Sequence, residues 1–186
     1  MDSRVRTISE RQAAANSYLI EAGEDLILID AGFSPDELNR ITAQETARSV
    51  TDVVLTHGHY DHAGAVPAWQ AAGVRLIAAG QTARYLADDQ LNLSHLFGRS
   101  LTASAPDILL TDGGTLELGT GIQLTAYHCP GHTEGDMLLL FCMAGEPFAL
   151  FVGDVLFADS VGRTDFPGGD ARVQQRSLRR IVSLFR

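Results

Sequence analysis

The chain has 186 residues, of which 45% are hydrophobic and 20% are charged, and this composition excludes a disordered or fibrous protein. One core can bury roughly 70% of the unfolded surface at this length, so we expect a single domain spanning 1–186. With 23 acidic residues against 14 basic ones, the net charge of −9 disfavours nucleic acid as a partner.

The N-terminal third predicts two strands and a helix. Short apolar or alternating runs at 17–21 and 26–30 indicate the strands, and Gly23 provides the turn between them. The helix should extend to about residue 47. Its start has a capping-box pattern, formed by Ser34 at the cap, Pro35 at the first helical position and Glu37 three residues after the cap.

The middle of the chain predicts strands that alternate with helices. Apolar runs indicate strands at 53–55 and 76–77, with a helix over 63–72 between them. A mostly helical stretch over 81–98 follows. Its five candidates for burial are Leu86, Leu91, Leu93, Leu96 and Phe97.

The C-terminal third predicts a second group of strands. Alternation at 116–126 and apolar runs at 137–143 and 148–152 indicate antiparallel strands, and a final helix spans 173–186. One face of that helix carries Leu178, Ile181, Val182 and Phe185. Two strand groups interspersed with helices predict an α/β protein built as a layered sandwich. No apolar run is long enough to span a bilayer and no export signal is evident, so we expect a cytoplasmic protein that does not bind membranes.

Five of the six histidines fall in two clusters, and the first is the string His57-x-His59-x-Asp61-His62. Such a string has a chance on the order of one in two thousand of arising at random in this chain. Residues two apart in extended backbone lie about 6.6 Å apart on the same side, so His57 and His59 can share one metal ion. Asp61 and His62 turn off the strand and would face a second ion. The alternative is a pH-sensitive surface patch.

Two further candidate ligands follow predicted strands. His132 comes shortly after the strand that ends near His128, and Asp154 follows the apolar strand at 148–152. A carboxylate such as that of Asp154 can bridge two cations. His128 itself is interpreted as a packing or supporting residue in preference to a ligand.

Two polar residues have no assigned role from the pattern alone. His95 is interpreted as a helix residue near the mouth of the site. Asp30 ends a predicted strand, so it can support a ligand or merely form a turn.

The motifs resemble those of the metallo-β-lactamase superfamily, in the same order and over most of the chain. They are Thr56-His57-Gly58-His59-Tyr60-Asp61-His62, Pro130-Gly131-His132-Thr133 and Gly153-Asp154. The stretch Gly153-Asp154-Val155-Leu156-Phe157, followed by residues 160–170, resembles the small hydroxyacylglutathione hydrolase (glyoxalase II) branch. The resemblance implies an αββα four-layer sandwich with a metal site at one edge of the two sheets.

The resemblance also implies the roles of the site residues. It places His57, His59 and His132 on one divalent metal ion, Asp61 and His62 on another, and Asp154 between the two. Zinc is the expected metal, with iron and manganese as alternatives. A small-molecule thioester such as an S-acylglutathione would be hydrolysed by metal-bound hydroxide, with Asp61 as the catalytic residue that orients the water.

Members of that branch continue past the final helix into another strand and a loop whose histidine completes the second metal site. We therefore expect the last strand and that ligand loop to be lacking here, and the second site to be the weaker one. Arg163 would then hold a substrate carboxylate or, by preference, tie down its loop through Asp165.

Two alternatives remain. A persulfide dioxygenase would hold one Fe(II) on His57, His132 and Asp154. A truncated form would bind metal without turnover.

Overall fold

Two β-sheets lie face to face in the computed structural model, which describes residues 4–9, 15–43 and 49–185. In the first sheet the strands lie in chain order, with antiparallel pairing from β1 to β3 and parallel pairing from β3 to β6. Their bounds are β1 Val5–Ile8, β2 Ser17–Ala22, β3 Asp25–Ile29, β4 Val50–Val54, β5 Arg75–Ala79 and β6 Ile108–Leu110.

The second sheet is antiparallel, and its described strands lie in the order β10, β9, β8, β7. Their bounds are β7 Thr115–Leu118, β8 Ile122–His128, β9 Met137–Met143 and β10 Glu146–Phe151. The sequence patterns predicted these strands and those of the first sheet, apart from β1 and β6. These are the two edge strands of the first sheet, and with four and three residues they are too short for a clear apolar periodicity.

The helices cover the outer faces of the two sheets. The α-helices are α1 Pro35–Thr42, α2 Tyr60–Ala63, α3 Val66–Ala71, α4 Thr82–Tyr85 and α5 Ala171–Leu184, with 3-10 turns at Ser94–Phe97 and Gly153–Val155. The predicted capping box is present, because the Ser34 hydroxyl accepts from the N–H of Glu37 and the Glu37 carboxylate accepts from the N–H of Ser34. The helix nevertheless ends earlier than predicted, since Ala43 adopts a left-handed conformation; residues 44–48 lie outside the described residues.

Alternation along the strands divides the core into three layers. In β3, Leu28 faces α1 and α3, whereas its neighbours Ile27 and Ile29 face the second sheet. In β9, Leu139 faces the first sheet and Leu138 faces α5. Both sheets therefore bury two faces, and the expected αββα arrangement is confirmed.

Two burial predictions were wrong in part. In the stretch over 81–98, α4 forms only one turn before an irregular segment begins. The side chains of Leu96 and Phe97 are 59% and 52% exposed. On α5, the buried face runs through Gln174, Ser177 and Ile181, so Val182 lies off that face and is exposed, as is Phe185 at the helix C-cap. Among the described residues no helix has the length and apolar character needed to cross a membrane.

Candidate metal centre

Several loops that follow strands meet at one edge of the two sheets. Because β3 and β4 are parallel neighbours, Asp30 and the segment 56–62 leave the first sheet side by side. The loop between β8 and β9 carries His132, and Asp154 follows β10. Residues far apart in the chain are thereby brought to the same place.

Three buried histidines, His57, His59 and His132, form what we call the first ligand group. One ring nitrogen of each lies within 4.8 Å of the others. The Nδ1 atom of His59 is 2.9 Å from Nε2 of His132, although the two residues are 73 positions apart. The pairing predicted for His57 and His59 is therefore present, and His132 joins them.

The second ligand group consists of His57, His62 and Asp154, whose donor atoms also lie within 4.8 Å of one another. The Nε2 atom of His62 is 3.3 Å from one Asp154 oxygen, and the other Asp154 oxygen is 3.6 Å from Nε2 of His132. Asp154 thus faces both groups. Asp61 lies outside them, with Oδ2 3.9 Å from the His62 nitrogen.

Asp30 orients two of these histidines through hydrogen bonds. Its carboxylate accepts from the Thr56 N–H at 2.8 Å, from the Thr56 hydroxyl at 2.9 Å and from His62 Nδ1 at 2.8 Å. Since the Thr56 hydrogen is given to Asp30, the hydroxyl oxygen accepts from His57 Nδ1 at 3.1 Å. The Nε2 atoms of His57 and His62 are therefore the ones directed at the centre. From the sequence, Asp30 could either support a metal ligand or form a turn. In the structure it supports His57 and His62.

His132 is oriented by the loop that follows Asp154. Its Nδ1 donates to the Arg163 carbonyl at 2.7 Å, which leaves Nε2 as the atom facing the first ligand group. The Arg163 guanidinium makes two hydrogen bonds to Asp165, at 2.6 and 2.7 Å, and lies over the ring of Phe166. Arg163 therefore takes the loop-tying role expected of it, and its backbone supplies a contact that the pattern did not indicate.

The chemistry of these side chains fits bound cations. The Nε2 atoms of His57 and His62 are buried and have no hydrogen-bond partner in the described structure. Burial lowers the pKa of His57 well below its usual value, and neighbouring histidines lower it further, so that ring stays neutral with a lone pair to offer. Buried imidazole nitrogens beside the Asp154 carboxylate are the donor set that a divalent cation takes.

His62 is the exception among these rings. Burial alone would lower its pKa, but Asp30 and Asp154, with a contribution from Asp61, raise the pKa well above the usual value. The surrounding carboxylates therefore favour the protonated form of this ring. A cation at the second ligand group would take the place of that proton.

Helix α5 connects the loops that carry His132 and Asp154. Buried Gln174 donates from Nε2 to the Val155 carbonyl at 2.9 Å, and Ser177 donates to the Pro130 carbonyl at 2.6 Å. The backbone of Gln174 also lies so close to Gly131 that a Cβ on that glycine would collide with it. The helical pattern gave no signal for this role, because a glutamine on an otherwise charged surface helix is usually solvated.

Gln174→Leu should lower the free energy of unfolding by about 1–3 kcal/mol, because the buried Val155 carbonyl would lose its donor. Urea denaturation measures the change. The matched control is Gln175→Leu on the same helix, where the side chain is exposed and the effect should stay within about 0.5 kcal/mol. Equal effects of the two substitutions would contradict a connecting role for Gln174.

Without metal, the free energy of unfolding should fall as the pH is lowered. Burial, with help from His132 and His62, lowers the pKa of His59 from 6.5 to about 3. Below pH 6.5 the unfolded chain therefore takes a proton that the folded chain refuses, and stability falls as the pH falls. His62 does not oppose this trend, because the stability conferred by a raised pKa is already complete below pH 6.5.

Between pH 6.5 and 5, His59 alone should lower the free energy of unfolding of the metal-free protein by roughly 1–2 kcal/mol, at about 1.36 kcal/mol per pH unit. Denaturant unfolding of chelator-treated protein at the two pH values measures this loss. His59→Gln should reduce it, whereas His95→Gln, at an exposed ring, should leave it unchanged. A loss that persists in full without His59 would refute the assignment.

The other two histidines lie outside both ligand groups. His128 Nε2 contacts the Glu134 carbonyl at 2.9 Å, which agrees with the supporting role expected for it. His95 is exposed in a 3-10 turn, where Nδ1 contacts the Asp89 carbonyl at 2.7 Å. Both cysteines, Cys129 and Cys142, are free thiols.

Similarity to known proteins agrees with this geometry. The family model described as the metallo-beta-lactamase superfamily matches residues 11–184. A probable metallo-hydrolase of Burkholderia pseudomallei is 37% identical over 166 residues, which cover 81% of this chain and 53% of that protein, so the chain spans about half of that relative's length.

Two further matches cover a larger share of the matched protein. The hydroxyacylglutathione hydrolase GloC of Haemophilus influenzae is 32% identical over 166 residues, covering 88% of this chain and 76% of that protein. The crystal structure of the BLEG-1 B3 metallo-β-lactamase matches with a TM-score of 0.79 and 32% identity, covering 94% of this chain and 83% of that one. The resemblance seen in the motifs is confirmed, and the chain belongs to the metallo-beta-lactamase superfamily.

Proposed function

We propose that the protein is a metal-dependent hydrolase of a thioester such as an S-acylglutathione. The observation that carries the proposal is the convergence of buried, unpartnered imidazole nitrogens with the Asp154 carboxylate in two ligand groups that share His57. Similarity to GloC of Haemophilus influenzae supports the thioester as substrate class.

In this proposal, His57, His59 and His132 hold one divalent cation, and His62 and Asp154 contribute to a second. Zinc is the metal we propose, with iron and manganese as alternatives. Such cations lower the pKa of bound water to about 7 and polarise a substrate carbonyl. Hydrogen bonds keep the ligand nitrogens turned inward. Asp30 orients His62 directly and His57 by way of Thr56. The Arg163 carbonyl orients His132.

Asp61 is the residue we propose to orient the attacking water. Its carboxylate lies at the edge of the second ligand group and is partly accessible to solvent. Burial raises its pKa, and Asp154 adds to this effect while His62 opposes it. An oxygen in that position can accept a hydrogen bond from a water molecule between itself and the substrate. It can also contribute to holding the second cation, as the motif resemblance implies.

The reaction needs no protein nucleophile. The Thr56 hydroxyl contacts His57, but it is already engaged by Asp30 and by that ring. Sulfur is a good leaving group, so a thioester suits a site whose reactivity comes from activated water.

The test is hydrolysis of S-D-lactoylglutathione by the full chain loaded with zinc, manganese or iron, with metal content per chain measured in parallel. We expect turnover that is lost on chelation and restored by metal. Metal-loaded protein that hydrolyses no thioester would refute the proposal.

A mononuclear iron persulfide dioxygenase is the second candidate, and one contact favours it. Asp154 lies 3.6 Å from His132 and shares the second ligand group with His57, so these three residues can form a two-histidine, one-carboxylate iron site. Anaerobic purification followed by oxygen uptake with glutathione persulfide separates the candidates. Oxygen consumption by iron-bound protein would replace the hydrolase proposal.

A further inference from the structure

We propose that Tyr85 is a positioning residue of the first metal site, where its ring holds His59 in place and its hydroxyl holds the loop that carries His132. Tyr85 is the last residue of α4, and its side chain is fully buried. The inference rests on the proposed binding of a cation by the first ligand group. It does not depend on a thioester as the substrate.

His59 differs from the other ligand histidines in how its ring is oriented. Each of the other three has an acceptor for the proton on Nδ1. In His59 the Nδ1 atom itself faces His132, at 2.9 Å, so Nε2 is the nitrogen turned away from the first ligand group. That Nε2 atom is buried and has no hydrogen-bond partner among the described residues. A metal-binding histidine usually donates its second ring proton to an acceptor, so the orientation of His59 depends on packing instead.

Two aromatic rings pack against His59. The ring centroid of Tyr85 lies 6.0 Å from that of His59, and the ring centroid of Phe166 lies 6.2 Å from it. Tyr85 also lies so close to Gly58 that a Cβ on that glycine would collide with the Tyr85 side chain. Because Tyr85 is fully buried, whereas Phe166 is partly exposed, the Tyr85 ring is the firmer support for His59 and for the backbone before it.

The hydroxyl of Tyr85 reaches the loop between β8 and β9. It accepts from the N–H of Glu134 at 3.2 Å, and Glu134 follows His132 by two residues. Thr82, at the start of the same helical turn, lies against Gly135, where a Cβ would be only 2.8 Å from the Thr82 hydroxyl oxygen. The single turn of α4 therefore contacts both chain segments that supply the first ligand group.

The loop that follows Asp154 also passes over this hydroxyl. Gly168 has a φ of 84°, and a Cβ on it would collide with the Tyr85 oxygen. The same loop carries Arg163, whose carbonyl orients His132. Tyr85 thus lies where the segments that hold or orient the first ligand group come together.

The backbone of Tyr85 is held by contacts of its own. Its carbonyl accepts from Nδ2 of buried Asn92 at 2.8 Å, and the Asn92 carbonyl accepts from the N–H of Tyr60 at 2.7 Å. None of these atoms is a candidate metal ligand. The fold therefore positions Tyr85, which can in turn position His59.

Metal titration of the full chain tests the role of the ring. Tyr85→Leu should weaken binding of the first equivalent of cobalt(II) by about 10- to 100-fold, the range expected when a residue that orients a metal ligand is replaced. The absorption bands of bound cobalt should shift as well, because they depend on the orientation of His59. Tyr85→Phe retains the ring, so it should keep the wild-type bands and an affinity within about 3-fold of wild type.

Leu26→Ala is the matched control for lost stability. Leu26 is buried near the start of β3, at the other end of that strand from Asp30, so its truncation destabilises the core away from the metal centre. Urea denaturation places both variants on one scale of stability, and Leu26→Ala should keep the cobalt affinity and the bands of wild type. Equal losses of affinity in Tyr85→Leu and Leu26→Ala would overturn the positioning role of the ring.

Amide hydrogen exchange on chelator-treated protein tests the hydroxyl, and it uses the milder variant. Tyr85→Phe should speed exchange of the Glu134 amide at least about 10-fold, because that N–H loses its acceptor. The neighbouring Thr133 amide donates to Asp136 and should keep its rate. Unchanged exchange at Glu134 would refute the role of the hydroxyl.

This proposal and the hydrolase proposal fail in different ways. Cobalt binding that is equally tight in wild type and Tyr85→Leu would refute the positioning role and leave the hydrolase proposal standing. Affinity that is lost in Tyr85→Leu and restored in Tyr85→Phe, in a protein that hydrolyses no thioester, would support the positioning role and refute the hydrolase.

Discussion

Asp154→Ala should lower kcat/KM at least about 100-fold, the order of loss seen when one group that stabilises a transition state is removed. The bound metal per chain should fall in the same variant. Both expectations follow from the position of the carboxylate, whose two oxygens face His62 at 3.3 Å and His132 at 3.6 Å. No other described carboxylate belongs to either ligand group.

Loss of the Asp154 charge should lower kcat/KM by more than the loss of a single contact would. Asp154 helps to raise the pKa of His62, and burial raises the pKa of Asp154 itself while His62 and the other histidines lower it below its ordinary value. Without this charge, cations would be held among neutral rings with less compensation. Metal affinity and activation of water should therefore decline together.

The control is Asp159→Ala, five residues further along the same segment, where the side chain is exposed. It removes the same charge from the protein but should leave metal content and kcat/KM unchanged. Elemental analysis and thioester hydrolysis on both variants provide the comparison. Full metal content and activity without Asp154 would mean that the carboxylate is not part of the centre.

Asp30→Asn should weaken metal binding by about 10- to 100-fold, the range expected when a residue that orients metal ligands is replaced. The second ligand group should be affected more than the first. Asp30 accepts from His62 directly and from His57 through Thr56, whereas His132 has a separate acceptor in the Arg163 carbonyl. An amide cannot serve all of these donors, because its nitrogen accepts none.

Asparagine is the appropriate replacement because Asp30 has a φ of 56°. Asparagine and aspartate tolerate this left-handed conformation, whereas alanine would add backbone strain. The expected change is therefore one of hydrogen bonding, with a loss of about 1–3 kcal/mol in unfolding free energy.

Stepwise metal titration, monitored by calorimetry, measures the two affinities, and Asp36→Asn on the exposed surface of α1 is the control. A uniform loss at both sites would indicate general unfolding of the centre. Unchanged affinity at both sites would show that Thr56 and the strand alone orient His57 and His62.

Local features of the sequence predicted much of the fold because their geometry spans only a few residues. The capping box at Ser34 and Glu37 depends on three residues of spacing, and the alternation in β8 and β9 depends on a period of two. The helix end at Ala43 and the coil after α4 were mispredicted, since a left-handed residue or a loop held by long-range contacts leaves no periodic signal.

The sequence by itself determined which side chains are candidate metal ligands, because the spacing of His57, His59 and His62 is built into a few residues of backbone. The tertiary structure decided how they are oriented and what lies beside them. Asp30 reaches Thr56 and His62 only because β3 and β4 are parallel neighbours, and Gln174 reaches Val155 only because α5 packs on the second sheet. Those contacts depend on strand register and helix placement, which no short segment of chain specifies.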